Sequence, residues 1–342
     1  MRLSAILALA LILSACSSGA PELAADGPRI RASLVQTWPA QAPARQAVFT
    51  RDGSLLATAD ASGLIRLRET RGWRPIAQFR HPGGATSLAF GPDGTHLFSG
   101  GYDGTVRDWD LRTRAASAVF RGPDKTLWTV DVSPDGTRLA AAGEDAVIRI
   151  WTLGRADPPR LLRGHERNVW EVRFSPDGKR LASGSFDHTA RLWDVGSGRS
   201  VKVLAGHGEA VVGLGYSPDG TLLATGADDS TIRLWRASDG APLRVTNSGR
   251  HVDKVAFSPD GNWLASGGHA RGAIGTLWHQ LTDGGADGDS VRLWRVKDGA
   301  LVARLFHPDD VIYVAFSKDG RWLVTSGEDN RFRLWRLQPA SG

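Results

Sequence analysis

Two stretches of the chain carry residue types that perform chemistry in other contexts. His165-Glu166-Arg167-Asn168-Val169 opens with the His-Glu pair of a helical zinc site, but Val169 stands where the second metal ligand is needed. The segment also runs into period-two hydrophobicity, so the helical spacing on which that site depends has no meaning here. Asp283-Gly284-Gly285-Ala286-Asp287-Gly288 supplies carboxylates in the manner of a calcium loop, yet Gly285 occupies its third position and Trp294 its twelfth, where a bidentate Glu belongs. There is no Ser or Cys nucleophile motif and no Gly-rich phosphate loop. The expectation is a chain without catalytic residues, metal or cofactor.

What recurs instead is a set of His, Asp and Trp residues at fixed offsets. In residues 164–194, Gly164-His165 opens a unit and Trp193-Asp194 closes it. Ser175-Pro176-Asp177-Gly178 forms a turn between two alternating runs, 169–174 and 180–185. A third strand over 189–193 follows the turn at Phe186-Asp187-His188, and a fourth over 200–204 leads to the next Gly-His, Gly206-His207. That makes four strands in about 42 residues. The turn recurs at Asp52-Gly53, Asp93-Gly94, Asp135-Gly136, Asp177-Gly178, Asp219-Gly220, Asp260-Gly261 and Asp319-Gly320. Sixteen residues after the turn Asp comes Trp109, Trp151, Trp193, Trp235 or Trp335; the first unit has Arg68 there, and the sixth reaches Trp294 only after an insertion.

This pattern resembles the WD-repeat (WD40) family, and the resemblance covers roughly residues 34–338. It implies an all-β, seven-bladed propeller, because a single four-stranded blade cannot bury both faces and must stack in a ring. It further implies a buried hydrogen-bonded network of His, Asp, a strand Ser or Thr, and Trp. Blade four matches with His165, Ser183, Asp187 and Trp193; blade two with His81, Asp103 and Trp109; blade five with His207, Asp229 and Trp235; blade seven with His307, Asp329 and Trp335. Blade three has Pro123 at the His position, blade six Ser248, and blade one Ala40 with Ser62 at the Asp position, so these three are expected to be less firmly pinned.

Residues 1–15 carry Arg2 and an apolar run over 5–13, too short to span a bilayer, and read as a signal peptide. Leu13-Ser14-Ala15-Cys16 resembles the lipobox of bacterial lipoproteins, which implies lipidation at Cys16, the only cysteine of the 342 residues. That places the domain on the extracytoplasmic, periplasmic side of a bacterial cell envelope, and Ser17 after the Cys favours the outer membrane. Residues 16–33 then form a tether, and 34–342 the propeller. Counting by the repeat puts residues 34–37 on an outermost strand with no blade before it, while blade seven lacks a fourth strand. The N-terminal strand is therefore expected to complete blade seven and close the ring.

The formal net charge of +6 is spread by one Arg two residues before each repeat end, from Arg66 to Arg333, which argues against a nucleic-acid groove. Two departures from the repeat point to a partner. An insertion of about 18 residues, near 269–287, lies in blade six, with Ile274, Leu277, Trp278 and Leu281 at helical spacing. Aromatic residues stand at equivalent loop positions: Tyr102 and Phe186 before the network Asp, Trp128 and Trp170 seven residues before the turn Asp. Tyr102, Trp128, Trp170 and Phe186 are expected to form one patch, joined by Trp278, for a protein or peptide of the envelope. Packing of the two Trp between blades is the competing reading. The function expected is a membrane-anchored, non-enzymatic interaction scaffold. The alternatives are an extracytoplasmic enzyme or small-ligand binder at the channel mouth, and a module contacting cell-wall polymer through its charge.

Overall fold

The computed structural model describes residue 23, residues 27–269 and residues 291–339. These form seven four-stranded antiparallel sheets in a ring. Blade four shows why the sequence folds this way. Its strands β14 (Val169–Phe174), β15 (Arg180–Ser185), β16 (Ala190–Asp194) and β17 (Ser200–Leu204) run from the axis to the rim. At the turn between β14 and β15, Gly178 takes a positive φ of 68° and donates its N–H to the Ser175 carbonyl at 2.8 Å. The Ser175 hydroxyl and the Lys179 N–H both donate to the Asp177 carboxylate, so the Ser-x-Asp-Gly spelling fixes the turn.

The apolar residues of each strand meet those of the neighbouring blade. Seven buried hydrophobic clusters result, one at each blade–blade interface. The cluster between blades three and four joins Ile148, Ile150 and Leu162 to Val172, Leu181 and Trp193, the last only 1% exposed. Burying one such side chain contributes about 1.5–3 kcal/mol, and no blade can do so alone.

The ring closes as expected. The first strand, β1 (Ile30–Pro39), pairs antiparallel with the last, β28 (Arg331–Pro339), and completes blade seven. It starts at Ile30, four residues before the expected boundary at 34, because the registers Ile30 to Pro339 and Arg31 to Gln338 extend the ladder outward. In blade six the chain leaves β23 (Trp263–Gly267) and returns at β24 (Val291–Arg295), so the insertion lies between the second and third strands. Trp278, the 274–281 segment and Cys16 lie outside the described residues. No described helix is long and apolar enough to cross a membrane.

Candidate functional site

The hydrogen-bonded networks lie on one face of the ring. In blade four the Trp193 indole N–H donates to the Ser183 hydroxyl at 2.8 Å, and the Ser183 hydroxyl sits 2.7 Å from His165 Nε2. His165 Nδ1 lies 2.7 Å from Asp187. Blade five repeats this with Trp235, Thr225, His207 and Asp229. Blade two does so with Trp109, Ser99, His81 and Asp103, its imidazole turned so that Nδ1 faces Ser99. The network steadies a strained turn: the residue after the Asp takes a positive φ, 68° at His188 and 64° at Ser230. Burial by itself would raise the Asp187 carboxyl, but hydrogen bonds from His165 and Thr189 hold it well below its ordinary value.

Three blades correct the expected pattern. In blade seven Trp335 still donates to Thr325, but His307 turns to another partner: Arg333 reaches its imidazole at 3.0 Å and also binds Asp329. Burial, reinforced by the Arg333 charge, lowers His307 to about 4. In blade one Arg68 replaces the Trp, donates to Thr58 at 3.3 Å and stacks over Trp38 at 4.7 Å. Asp60, two residues before Ser62, accepts the Gln41 N–H at 3.0 Å, as Asp187 accepts that of Glu166. In blade six Ser248 bonds the backbone of Ser230 and Arg250, and Trp294 donates to Ser266. Blades one and six are thus pinned by substitutes that the His-Asp-Trp spelling does not reveal.

The aromatic residues come together. The inner strands β10 (Leu127–Val132) and β14 each carry a bulge at their second residue, which leaves Trp128 and Trp170 unpaired in the ladder and turns them toward the channel mouth. Arg45, Thr86, Val212 and Ile312 occupy the corresponding bulges of blades one, two, five and seven. Tyr102 meets Trp128 edge-on at 5.8 Å; Trp128 stacks on Trp170 at 4.7 Å; Trp170 stacks on Phe186 at 5.3 Å and 12°. All four are half-buried, so the row packs between blades and also reaches the surface. The Trp128 indole N–H is buried without a hydrogen-bond partner.

Below this row the channel is filled by residues that the repeat pattern does not mark. Six residues before each turn Asp stands a side chain that points into the axis: Gln46, Ser87, Thr129, Glu171, Lys254 and Tyr313, with Gly213 in blade five. Gln46, Ser87, Thr129 and Glu171 each accept a backbone N–H from the next blade's inner strand, at Leu88, Val130, Val172 and Leu214. Glu171 pairs with Lys254 across the axis and with Arg173 at 2.6 Å. Gln46 and Arg173 both donate to the Tyr313 hydroxyl. Burial lowers the Lys254 ammonium to about 7, with Asp131 opposing. The remaining space is about 70 Å³. A polar residue at that fixed offset was the available signal, hidden because its type changes from blade to blade.

Around the rest of the face lie carboxylates. His269 donates to Asp253 at 2.8 Å, and that bond lifts the imidazole to about 9 against burial. Burial and the Asp253 charge lift Asp228 to about 6, with His269 opposing and Glu209 and Asp229 adding to the rise. Phe186 borders a shallow depression of about 600 Å³ that also touches Glu144, Glu166, Glu209 and Asp228. Among the described residues no group of three His, Cys, Asp or Glu is arranged to hold a metal ion.

Comparison with known proteins follows the same lines. The family model described as "WD domain, G-beta repeat" matches six stretches, residues 73–110, 115–152, 157–194, 198–236, 241–273 and 299–336. The repeat ending in Arg68 is not among them. A coronin-like protein of Saccharomyces cerevisiae is 36% identical over 75 residues, 21% of this chain and 12% of the relative. Protein groucho of Drosophila melanogaster is 36% identical over 93 residues, 27% of this chain and 12% of the relative. The matched part therefore spans only about an eighth of each relative's length.

Proposed function

Because this chain belongs to the WD40-repeat family, we propose that it is a non-enzymatic protein-interaction scaffold, whose working surface is the ring face bearing Tyr102, Trp128, Trp170 and Phe186. The observation that carries this reading is the aromatic row itself. Its two Trp residues occupy bulge positions that blades one, two, five and seven fill with Arg45, Thr86, Val212 and Ile312, so repeat packing does not require aromatic rings there. Clustered half-buried aromatic rings supply contact area at little ordering cost, and a closed ring adds rigidity. A small-ligand site inside the channel is disfavoured, since side chains fill the axis to about 70 Å³.

In the same reading Cys16 is acylated and holds the ring on the extracytoplasmic side of a bacterial membrane, with a protein of the envelope as partner. The support is the apolar run over 5–13 followed by Leu13-Ser14-Ala15-Cys16. Affinity purification from gently solubilised membranes tests both parts. The expected result is a stoichiometric partner captured by the native chain and lost with Trp170→Ala/Phe186→Ala, and a Cys16→Ala chain that leaves the membrane fraction. Recovery of the same partner by a folded double variant would remove the row from the interface, and a Cys16→Ala chain still in the membrane would remove the anchor.

A further inference from the structure

We infer that the segment docking on this face is an extended, cationic peptide, whose apolar side chains lie along the aromatic row and whose Lys or Arg side chains end in the depression beside Phe186. This rests on the scaffold reading and specifies its partner.

Charge on this face favours a cation. The chain as a whole is at +6, yet the depression touches Glu144, Glu166 and Glu209, none of which forms an ion pair with a Lys or Arg among the described residues, and Asp228, whose basic neighbours are His251 at 3.9 Å and His269. Asp145, in the same depression, is already matched by Arg149 at 2.6 Å. Lys125 and Arg167 are its cations, so the carboxylates outnumber them. Repulsion among Asp228, Asp253, Glu209 and Asp229 contributes to holding the Asp228 carboxyl up, and an incoming cation relieves it.

The rings themselves set what can lie along the row. Trp170 is sandwiched between Trp128 and Phe186, so its two faces are covered and only its edge remains for a partner. Flat stacking of a sugar ring needs an open aromatic face, which the middle of the row does not offer. Phe186 ends the row and lines the depression, where a guanidinium or ammonium gains both the ring quadrupole and the carboxylates. Arg45 already lies over the Tyr102 ring at the opposite end, at 5.9 Å, so that end is occupied by a cation of the chain itself. The site is therefore polar in direction: apolar side chains along the row, cations at the Phe186 end.

The test is selection of a randomised linear-peptide library on the full-length protein, with chitohexaose as a carbohydrate probe. Enriched peptides rich in Lys and Arg are expected. Their affinity should fall about ten-fold in Glu144→Gln/Glu166→Gln/Glu209→Gln and with added salt. Phe186→Leu, which keeps apolar volume and loses the ring, should weaken them while shifting the thermal midpoint by no more than a few degrees. Neutral or acidic peptides that still require Trp170 and Phe186 would overturn the cationic assignment and leave the scaffold reading standing. Enriched peptides indifferent to Trp170→Ala/Phe186→Ala, no enrichment at all, or binding of chitohexaose alone would overturn both.

Discussion

At the scale of single residues, what holds each blade is a hydrogen-bonded path from indole to carboxylate, and the groups that serve it differ from blade to blade. Asp60 performs in blade one what Asp187 performs in blade four, accepting a backbone N–H across the turn. Asp60→Ala and Asp187→Ala should each lower unfolding free energy by about 1–3 kcal/mol, read from denaturant midpoints, whereas Ser62→Ala should cost less. His307 gives the pH dependence its sign. Its folded state favours the neutral imidazole, first because it is buried and then because the Arg333 charge stands against it with an N–H donated to Nε2, and the ordinary value of 6.5 falls to about 4. The unfolded chain thus binds more protons between those values, so the contribution is whole above 6.5 and lost as pH falls toward 4. At pH 5 the loss is about 2 kcal/mol. Comparing midpoints at pH 7 and pH 5 checks it, and His307→Gln should remove that part of the difference.

At the scale of elements, the bulge at the start of the inner strands is the device that makes a surface out of a repeat. A regular strand sends alternate residues to one face or the other, whereas the bulge at Trp128 and Trp170 turns an extra side chain out to the mouth. The closing strand β1 is the second device. It covers the edge of β28, whose unpaired N–H and C=O groups would otherwise be open to another chain. Removal of residues 1–39 should therefore yield a chain that associates or unfolds without cooperativity. Light scattering and calorimetry would show this, while a monomeric variant with the native midpoint would mean that blade seven is self-sufficient.

At the scale of the whole molecule, the ring is tied along its axis as well as between its blades. Glu171 from blade four meets Lys254 from blade six, and Gln46 from blade one meets Tyr313 from blade seven. Glu171→Ala leaves the Lys254 ammonium buried without its carboxylate and should destabilise by about 3–5 kcal/mol. The double change Glu171→Gln/Lys254→Met should cost less than the single one, because the buried ammonium is gone and the half-buried Arg173 is what loses the Glu171 carboxylate. If unfolding curves showed the single and double variants to be equally impaired, shape and not charge would be what the axis depends on. In the proposed scaffold the filled axis leaves binding to the outer face, where Trp170→Ala/Phe186→Ala should abolish partner capture without shifting the thermal midpoint by more than a few degrees.

The seven blades, their turns and the closing strand are legible in the amino-acid order, because they follow from local chemistry repeated at a fixed period: Asp-Gly at each turn, alternating apolar residues, and a surplus strand before blade one matching a deficit in blade seven. That order also brings Tyr102, Trp128, Trp170 and Phe186 to one place, since equivalent positions in adjacent repeats must be neighbours in a ring. Which side chain fills each equivalent position's role emerges only from packing in three dimensions. Arg68 and Asp60 replace the missing Trp and Asp, Arg333 displaces His307 from its usual partner, and Glu171 finds Lys254 83 residues away. The reason is that a repeat specifies where a side chain stands but not whom it meets. Partners across the axis or around a turn are set by reach and charge in three dimensions, and the period carries no record of them.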